Sequence, residues 1–121
     1  MIEFEYKGKL FHNPVEFVLN KLGGTWKIPI LWNLNEKKMR YGELQRSLNG
    51  VSSKMLTMQL RELEQDGFID RKVFPVIPPH TEYSITEKGE RVIPLIKMMR
   101  DYGIKMLKEE GIEIKRTTID D

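Results

Sequence analysis

The sequence predicts a mainly α-helical fold with a small β-hairpin, which is an α+β arrangement. Apolar residues recur at helical spacing through the first half of the chain, and the turn signal Asn49-Gly50 separates two of the helical segments. After Gly67 the period changes to runs rich in aromatic and β-branched residues. Two short helices joined by a tight turn and followed by a hairpin are the order of a winged helix-turn-helix domain.

The composition is typical of one soluble globular domain. The 121 residues are 40% hydrophobic and 31% charged, and no apolar run approaches the ~18 residues that indicate a membrane span. The start of the chain, from Met1 to Glu5, lacks a basic stretch leading into an apolar one. We therefore expect no secretory signal and a cytoplasmic location.

The chain contains no cysteine, which excludes disulfides, thiolate metal sites and cysteine nucleophiles. The two histidines, His12 and His80, are far apart in sequence, and no spacing of carboxylates suggests a metal site. There is also no glycine loop of the kind that cradles phosphates. We expect no metal, no cofactor and no enzymatic activity.

The net charge of +2 is unevenly distributed. Residues 37–72 carry eight basic and five acidic side chains, for +3, whereas residues 1–36 sum to zero and residues 73–121 to −1. A basic middle between neutral flanks is a mild sign of a polyanionic partner.

The first helix begins at Asn13-Pro14-Val15-Glu16. Asn suits the N-cap, Pro suits the first helical position, and Glu three residues after the cap can form a hydrogen bond with the cap backbone. Gly23-Gly24 ends it. A second helix is predicted from about Trp26 to Asn35, with Pro29 distorting or delaying its first turn. Residues 36–38 are interpreted as a charged loop.

The third and fourth helices form the predicted helix-turn-helix unit. The third runs over residues 42–48, with Leu44 and Leu48 facing inward. The fourth begins at Ser52 or Ser53, either of which can cap it, and ends before Gly67.

The hairpin that follows has strands at residues 68–74 and 81–85, joined by a proline-rich loop at 75–80. Directly after the second helix of the unit, such a hairpin is the wing. Thr86 then caps another helix. Pro94 breaks or kinks it and restarts a longer helix to about Glu110.

The predicted organisation is an N-terminal arm at 1–12, a winged helix-turn-helix domain with dimerisation helices at 13–111, and a C-terminal tail at 112–121. The arm alternates apolar Ile2, Phe4 and Tyr6 with charged residues, and Ile112 and Ile114 alternate in the tail. Both ends are interpreted either as short strands or as flexible arms.

Four strings occur in a specific order: GGTWK at 23–27, RYGEL at 40–44, LTMQLRELEQDGFI at 56–69 and PPHTEYSITEKG at 78–89. Together, over roughly residues 13–110, they resemble the HxlR family of bacterial and archaeal winged-helix regulators, relatives of the MarR type. The resemblance implies a homodimer built by the first and last helices. It also implies transcription regulation, with repression as the expected outcome, through double-stranded DNA at a palindromic operator.

One departure from that family concerns regulation. Many members carry a cysteine just before the first helix, where this sequence has Asn13 after His12. Sensing of electrophiles or oxidants through a thiol therefore cannot be carried over to this chain.

The fourth helix presents one apolar and one polar face. Leu56, Leu60 and Leu63 cluster within about 60° on a helical wheel and must face the core. In helix-turn-helix docking, the N-terminal part of the second helix of the unit meets base edges. We predict base contacts from the polar face by Ser53, Lys54, Thr57, Met58 and Arg61.

Basic residues of the loop and wing are candidates for contacts to the DNA backbone or minor groove, which position a protein without reading sequence. They are Lys37, Lys38, Arg40, Arg71, Lys72 and His80. A solvated charged surface is the alternative for each, and His80 is interpreted as a loop residue.

The last helix carries two apolar stripes, more than one small domain needs, so one stripe is assigned to a partner. The predicted dimer interface comprises Val15, Leu19, Leu95, Met99, Tyr102 and Met106. Candidates for a pocket that binds a small-molecule effector are Phe11, Phe17, Trp26 and Trp32, although aromatic stripes more often form plain core. A winged helix that binds only a partner protein is the alternative function.

Overall fold

The computed structural model describes residues 1–114. Within that range the helices are α1 Pro14–Leu22, α2 Lys27–Glu36, α3 Tyr41–Ser47, α4 Ser53–Gln65, α5 Glu87–Glu90 and α6 Ile93–Glu109. The strands are β1 Phe4–Tyr6, β2 Lys9–Phe11, β3 Met39–Arg40, β4 Ile69–Phe74 and β5 His80–Ile85. The prediction of an α+β winged helix-turn-helix fold is confirmed.

The wing is an antiparallel sheet in the order β3-β5-β4. Strand β4 pairs with β5 from Ile69 opposite Ile85 to Phe74 opposite His80. The sequence interpretation of His80 as a loop residue is wrong, because its pairing with Phe74 makes it the first residue of β5. Strand β3 was not predicted, since two residues are too few for a periodic signal.

The core lies between the helices and the inner face of the wing sheet. Leu31 of α2, Leu44 of α3 and Leu60 of α4 are almost completely buried, and Ile69 and Tyr83 close the core from the sheet. Ile93 and Ile96 attach α6 to this core, where α6 contacts α2. The apolar contacts therefore fix α3 and α4 relative to the wing.

The helix ends follow the sequence signals closely. The side chain of Asn13 accepts a hydrogen bond from the backbone nitrogen of Glu16 at 2.9 Å. The Glu16 carboxylate accepts from the backbone nitrogen of His12, one residue before the cap, rather than from the cap itself. Ser52, not Ser53, caps α4 by accepting from the nitrogen of Met55.

Pro29 lies in the first turn of α2, which begins at Lys27. Backbone N–H groups of a first helical turn have no carbonyl partner within the helix, so the missing N–H of proline costs nothing there. The helix therefore continues through Pro29 without interruption, and it starts one residue later than predicted.

The N-terminal stretch contains a β-hairpin, in which Phe4 lies opposite Phe11. The rings of Phe4, Phe11 and Phe17 lie with centroids 5.2–5.6 Å apart, so the hairpin is packed on α1. Of the two alternatives for this stretch, strands are observed. Residues 112–114 form no strand, and the rest of the predicted tail, 115–121, lies outside the described residues.

None of the helices within residues 1–114 is both long and apolar enough to cross a membrane.

Candidate nucleic-acid interface

Helix α4 presents its polar face to solvent, because the leucines on its other face are buried. Leu56, Leu60 and Leu63 are at most 2% exposed. A shallow groove on the opposite face is lined by Ser53, Lys54, Thr57, Met58, Arg61, Glu62 and Gln65. The structure thus brings the five residues predicted to contact bases onto one open surface.

The N-terminal half of this surface is fixed by side chains of α3. The hydroxyl of Tyr41 lies 2.9 Å from Thr57 Oγ1 and donates to the carbonyl oxygen of Ser53, also at 2.9 Å. Gln45 donates from Nε2 to Ser53 Oγ at 3.0 Å. Thr57 is consequently half-buried and oriented, whereas Lys54, Met58 and Arg61 project freely. Sequence reasoning did not identify Tyr41 and Gln45, since no local pattern links α3 to α4.

Two lysines attach the C-terminal half of α4 to the rest of the fold. The ammonium of Lys27, a residue only 6% exposed, lies 3.2 Å from the Glu62 carboxylate and donates to the carbonyl of Lys21. Lys21 in turn lies 3.4 Å from the carboxylate of Asp66, at the end of the helix. A buried charge needs such a partner, so these pairs hold α4 in a defined orientation.

The wing lies beside α4, and Arg71 faces that helix. A polar pocket between the two is lined by Thr57, Arg61, Glu64, Arg71 and Tyr83. Burial raises the pKa of the Tyr83 phenol above its ordinary value of 10.0, and the positive charge of Arg71 partly offsets this rise. The phenol therefore stays neutral at physiological pH, next to two arginines.

Lys72 and His80 lie on the other face of the wing sheet. Side chains alternate along a strand, and Lys72 is paired with Glu82, which is paired with Arg40 on the next strand. The ring of His80 stacks on Phe74 with centroids 4.7 Å apart, and the Lys72 ammonium lies 4.9 Å from the Phe74 centroid. The predicted wing contacts are thus divided between two faces.

A second groove lies where α3 meets the wing. It is lined by Arg40, Tyr41, Gly42, Glu43, Arg46, Pro79, His80 and Thr81. Arg46 was not identified from the sequence. A helical wheel of α3 could have found it, because Leu44 is the buried residue of that helix and Arg46 lies on its exposed side.

The remaining loop lysines differ in their surroundings. Lys38 is exposed, and the Lys37 ammonium lies 3.9 Å from the carboxylate of Glu43. The pKa of Glu43 is held below its ordinary value, first by the hydrogen bond from the backbone nitrogen of Arg40 and then by the positive charges around it. Glu43 stays ionised, so it reduces the positive charge that this end of α3 offers to a phosphate.

The residues predicted to form the dimer interface lie in the open on two helices. Val15 and Leu19 of α1 are 52% and 60% exposed, and Tyr102 of α6 is 65% exposed. Leu95, Met99 and Met106 lie on the same side of α6 as Tyr102 and are also exposed. The dimer itself stays a prediction, since a single chain is described.

The residues predicted to line an effector pocket lie in two separate groups. Phe11 and Phe17 belong to the aromatic cluster beneath the N-terminal hairpin. Trp26 and Trp32 pack against the main core instead, and Trp32 has the guanidinium of Arg100 5.9 Å from its ring centroid. Two of the predicted side chains thus belong to the N-terminal cluster and two pack against the main core, and effector binding stays a prediction.

Comparison with known proteins connects this geometry to a family. The profile of the HxlR-like helix-turn-helix family matches residues 21–111. A regulatory protein named MalR from Fusobacterium mortiferum is 45% identical over 104 residues, which cover 85% of this chain and 97% of MalR. An HTH-type transcriptional regulator of Methanothermobacter thermautotrophicus is 43% identical over 89 residues, covering 74% of this chain and 68% of that protein.

Solved structures show the same architecture. The chain is similar to an HTH-type transcriptional regulator, ytcD, with a TM-score of 0.75 and 40% identity over 79% of this chain and 98% of that one. It is also similar to the redox regulator HypR in its oxidised form, with a TM-score of 0.72 and 37% identity over 84% of this chain and 100% of HypR. A MarR-family regulator from Porphyromonas gingivalis is similar with a TM-score of 0.71 and 38% identity, over 75% of this chain and 89% of that one.

Proposed function

The chain belongs to the HxlR-like helix-turn-helix family of transcriptional regulators, and from this we propose that it acts as a homodimer on a palindromic operator. Helix α4 of each protomer enters the major groove. The wing of each protomer contacts the neighbouring backbone and minor groove. Binding near a promoter represses transcription because it competes with polymerase for the same DNA.

The observation that carries this proposal is the exposed polar face of α4. Its five candidate residues line one open groove, while the buried leucines on the other face and the Lys27–Glu62 ion pair hold the helix in place. A recognition helix needs such support, because it must meet base edges without rearranging.

The side chains on this face have suitable chemistry for base edges. Arg61 and Lys54 can donate to the acceptors of guanine, and Met58 can contact the methyl group of thymine. Thr57, oriented by Tyr41, offers a hydroxyl that can either donate or accept a hydrogen bond. A good bidentate contact discriminates between bases by about 1–3 kcal/mol.

The dimer is supported by the exposed apolar side of α6 together with the exposed apolar residues of α1. A two-fold dimer presents two copies of α4 to DNA, so its operator has two half-sites related by the same symmetry. The half-sites are then expected about 34–36 Å apart along the duplex, or at a multiple of one helical turn.

Regulation by a thiol is not part of this proposal. HypR, a structural neighbour, is a redox regulator. This chain has no cysteine that could perform the same chemistry. Oxidation of a thiol within this chain therefore does not release it from DNA.

The proposal is tested by titrating the purified protein into labelled DNA from its own upstream region and, in parallel, into a shuffled duplex of equal length. We expect tighter binding to the upstream DNA, with an affinity that falls as salt rises because phosphate contacts release counterions. Absence of any complex at low salt, where phosphate contacts are strongest, would contradict the proposal.

A further inference from the structure

The tip of the wing is an uncharged, exposed segment at residues 75–79, with the sequence Pro-Val-Ile-Pro-Pro. Ile77 is 100% exposed, more than any other large hydrophobic side chain within residues 1–114, and Val76 is 51% exposed. Soluble proteins commonly expose single apolar residues. An isoleucine fully in water at the end of a projecting hairpin, beside a second apolar residue, is less common and indicates a contact that the isolated chain does not make.

The tip is held in a restricted conformation. Three of its five residues are prolines, which fix φ and limit the conformations of the free loop. At its base the stacked rings of Phe74 and His80 close the hairpin. A segment restricted in this way loses little conformational entropy on binding, so its apolar side chains can contribute most of their burial energy to a complex.

The surroundings of the tip are basic. Pro79 and His80 line the groove that also contains Arg40, Arg46 and the single carboxylate of Glu43. On the other sheet face Arg71 shares a pocket with Arg61 of α4. Through Pro79 the tip is continuous with the groove at α3, which carries two arginines against one glutamate, and a polyanion fits this flank better than an apolar protein surface does.

We propose that the wing tip is an apolar wedge that enters the minor groove beside the α4 contact, with Ile77 as its leading side chain. This inference rests on the proposed function and specifies how the wing acts. Aliphatic and proline side chains are used as wedges between base steps by proteins that bind the minor groove. The wedge reads the width and deformability of the groove, not a pattern of hydrogen bonds.

An apolar wedge and a phosphate contact differ in their dependence on salt. Neutralising a phosphate releases counterions, so removing a basic contact reduces the slope of log K against log salt by about one unit. A contact made by the uncharged side chain of Ile77 releases no counterions. Removing this side chain therefore weakens binding equally at all salt concentrations, and this separates its role from that of Lys72 or Arg71.

The experiment compares Ile77→Ser with the wild-type chain on upstream DNA over a range of salt concentrations, with Ile2→Ser as the control. Ile2 is also exposed, at 74%, and lies outside the proposed interface. We expect Ile77→Ser to bind about tenfold more weakly, which corresponds to about 1.4 kcal/mol, with an unchanged salt slope. Hydroxyl-radical footprinting should show loss of minor-groove protection beside the α4 site only.

Three results would overturn the inference. Ile77→Ser could bind as tightly as the wild type with the same footprint, which would leave the tip for a protein partner. It could also lower the salt slope by about one unit, which would assign the tip to the phosphates. Failure of the wild type itself to bind DNA would overturn the proposed function as well. Circular dichroism checks that the variant is folded, which the exposure of Ile77 leads us to expect.

Discussion

Tyr41 Oη lies 2.9 Å from Thr57 Oγ1, so a residue at the start of α3 orients a side chain on α4. The same phenol donates to the carbonyl oxygen of Ser53. One residue of α3 thus fixes two positions on the face of α4 that is proposed to bind DNA.

Replacing this phenol tests whether orientation of α4 matters for binding. Tyr41→Phe should weaken binding to the operator about fivefold, because a hydrogen bond contributes about 1 kcal/mol net. Fluorescence anisotropy measures the change, with Tyr6→Phe on the N-terminal hairpin as a control for loss of a hydroxyl. If Thr57 acts through Tyr41, Thr57→Val should weaken operator binding less in the Tyr41→Phe variant than it does in the wild-type chain. Additive effects would contradict the coupling.

Glu16 is expected to contribute stability that depends on pH. The hydrogen bond from the backbone nitrogen of His12 holds its pKa below the ordinary value of 4.5. A folded-state pKa below the unfolded one gives stability above about pH 4.5 that is lost as the pH falls through the folded value. Glu16→Gln should therefore have a lower urea midpoint than the wild type at pH 7, and the difference should shrink towards pH 3.

The control for this prediction is Glu3→Gln, in the stretch before the first strand. It should leave the urea midpoint unchanged at pH 7. A difference between Glu16→Gln and the wild type that is the same at pH 7 and pH 3 would show that the carboxylate charge is not involved.

Gly89 is required by close packing in the short helix α5. A β-carbon added there would overlap the carbonyl oxygen of Phe68 and lie 2.6 Å from Ile85 Cγ1. Gly89→Ala should lower the free energy of unfolding by about 1–3 kcal/mol. Gly103→Ala is the matched control in α6, where the added carbon meets open space, and it should be neutral or stabilising by up to about 1 kcal/mol. Equal stability of the two variants in urea would contradict this packing.

The apolar side of α6 is expected to hold the dimer together. Met99→Glu places a charge in the middle of the stripe that contains Leu95 and Tyr102, where it would be buried without a partner in a dimer. Light scattering should then report a monomer. Operator binding should be at least a hundredfold weaker, which corresponds to a loss of about twice 1.4 kcal/mol in binding free energy. Lys108→Glu places the same carboxylate on the polar side of α6 and should remain dimeric. A dimeric Met99→Glu would remove this stripe from the interface.

The sequence predicts well those features that depend on residues near one another along the chain. The Asn13 cap, the end of α1 at the glycine pair and the buried leucines of α4 all follow from spacing within one helix. Lys54, Met58 and Arg61 follow from the same wheel, because they lie about 100–160° from Leu60. Thr57 lies at the edge of that face, and Ser53 follows from its place at the N-terminal end of the helix.

Features that join distant segments could not be predicted in this way. The contacts of Tyr41 with Thr57 and of Lys27 with Glu62 span different helices, and no local pattern specifies them. Strand β3 forms only because β5 lies beside it. The aromatic side chains proposed for one pocket lie in two clusters, because Phe11 follows the N-terminal hairpin onto α1 and not the core around Trp26.

The direct test of the central claim, that the exposed face of α4 reads bases, is the ratio of operator affinity to shuffled-DNA affinity for two variants. Arg61→Ala should lower this ratio about tenfold or more, because a guanine contact is worth about 1–3 kcal/mol of discrimination. Lys72→Ala should weaken both affinities alike and leave the ratio unchanged, because phosphate contacts carry no sequence information. An unchanged ratio for Arg61→Ala, with both affinities reduced equally, would contradict the claim.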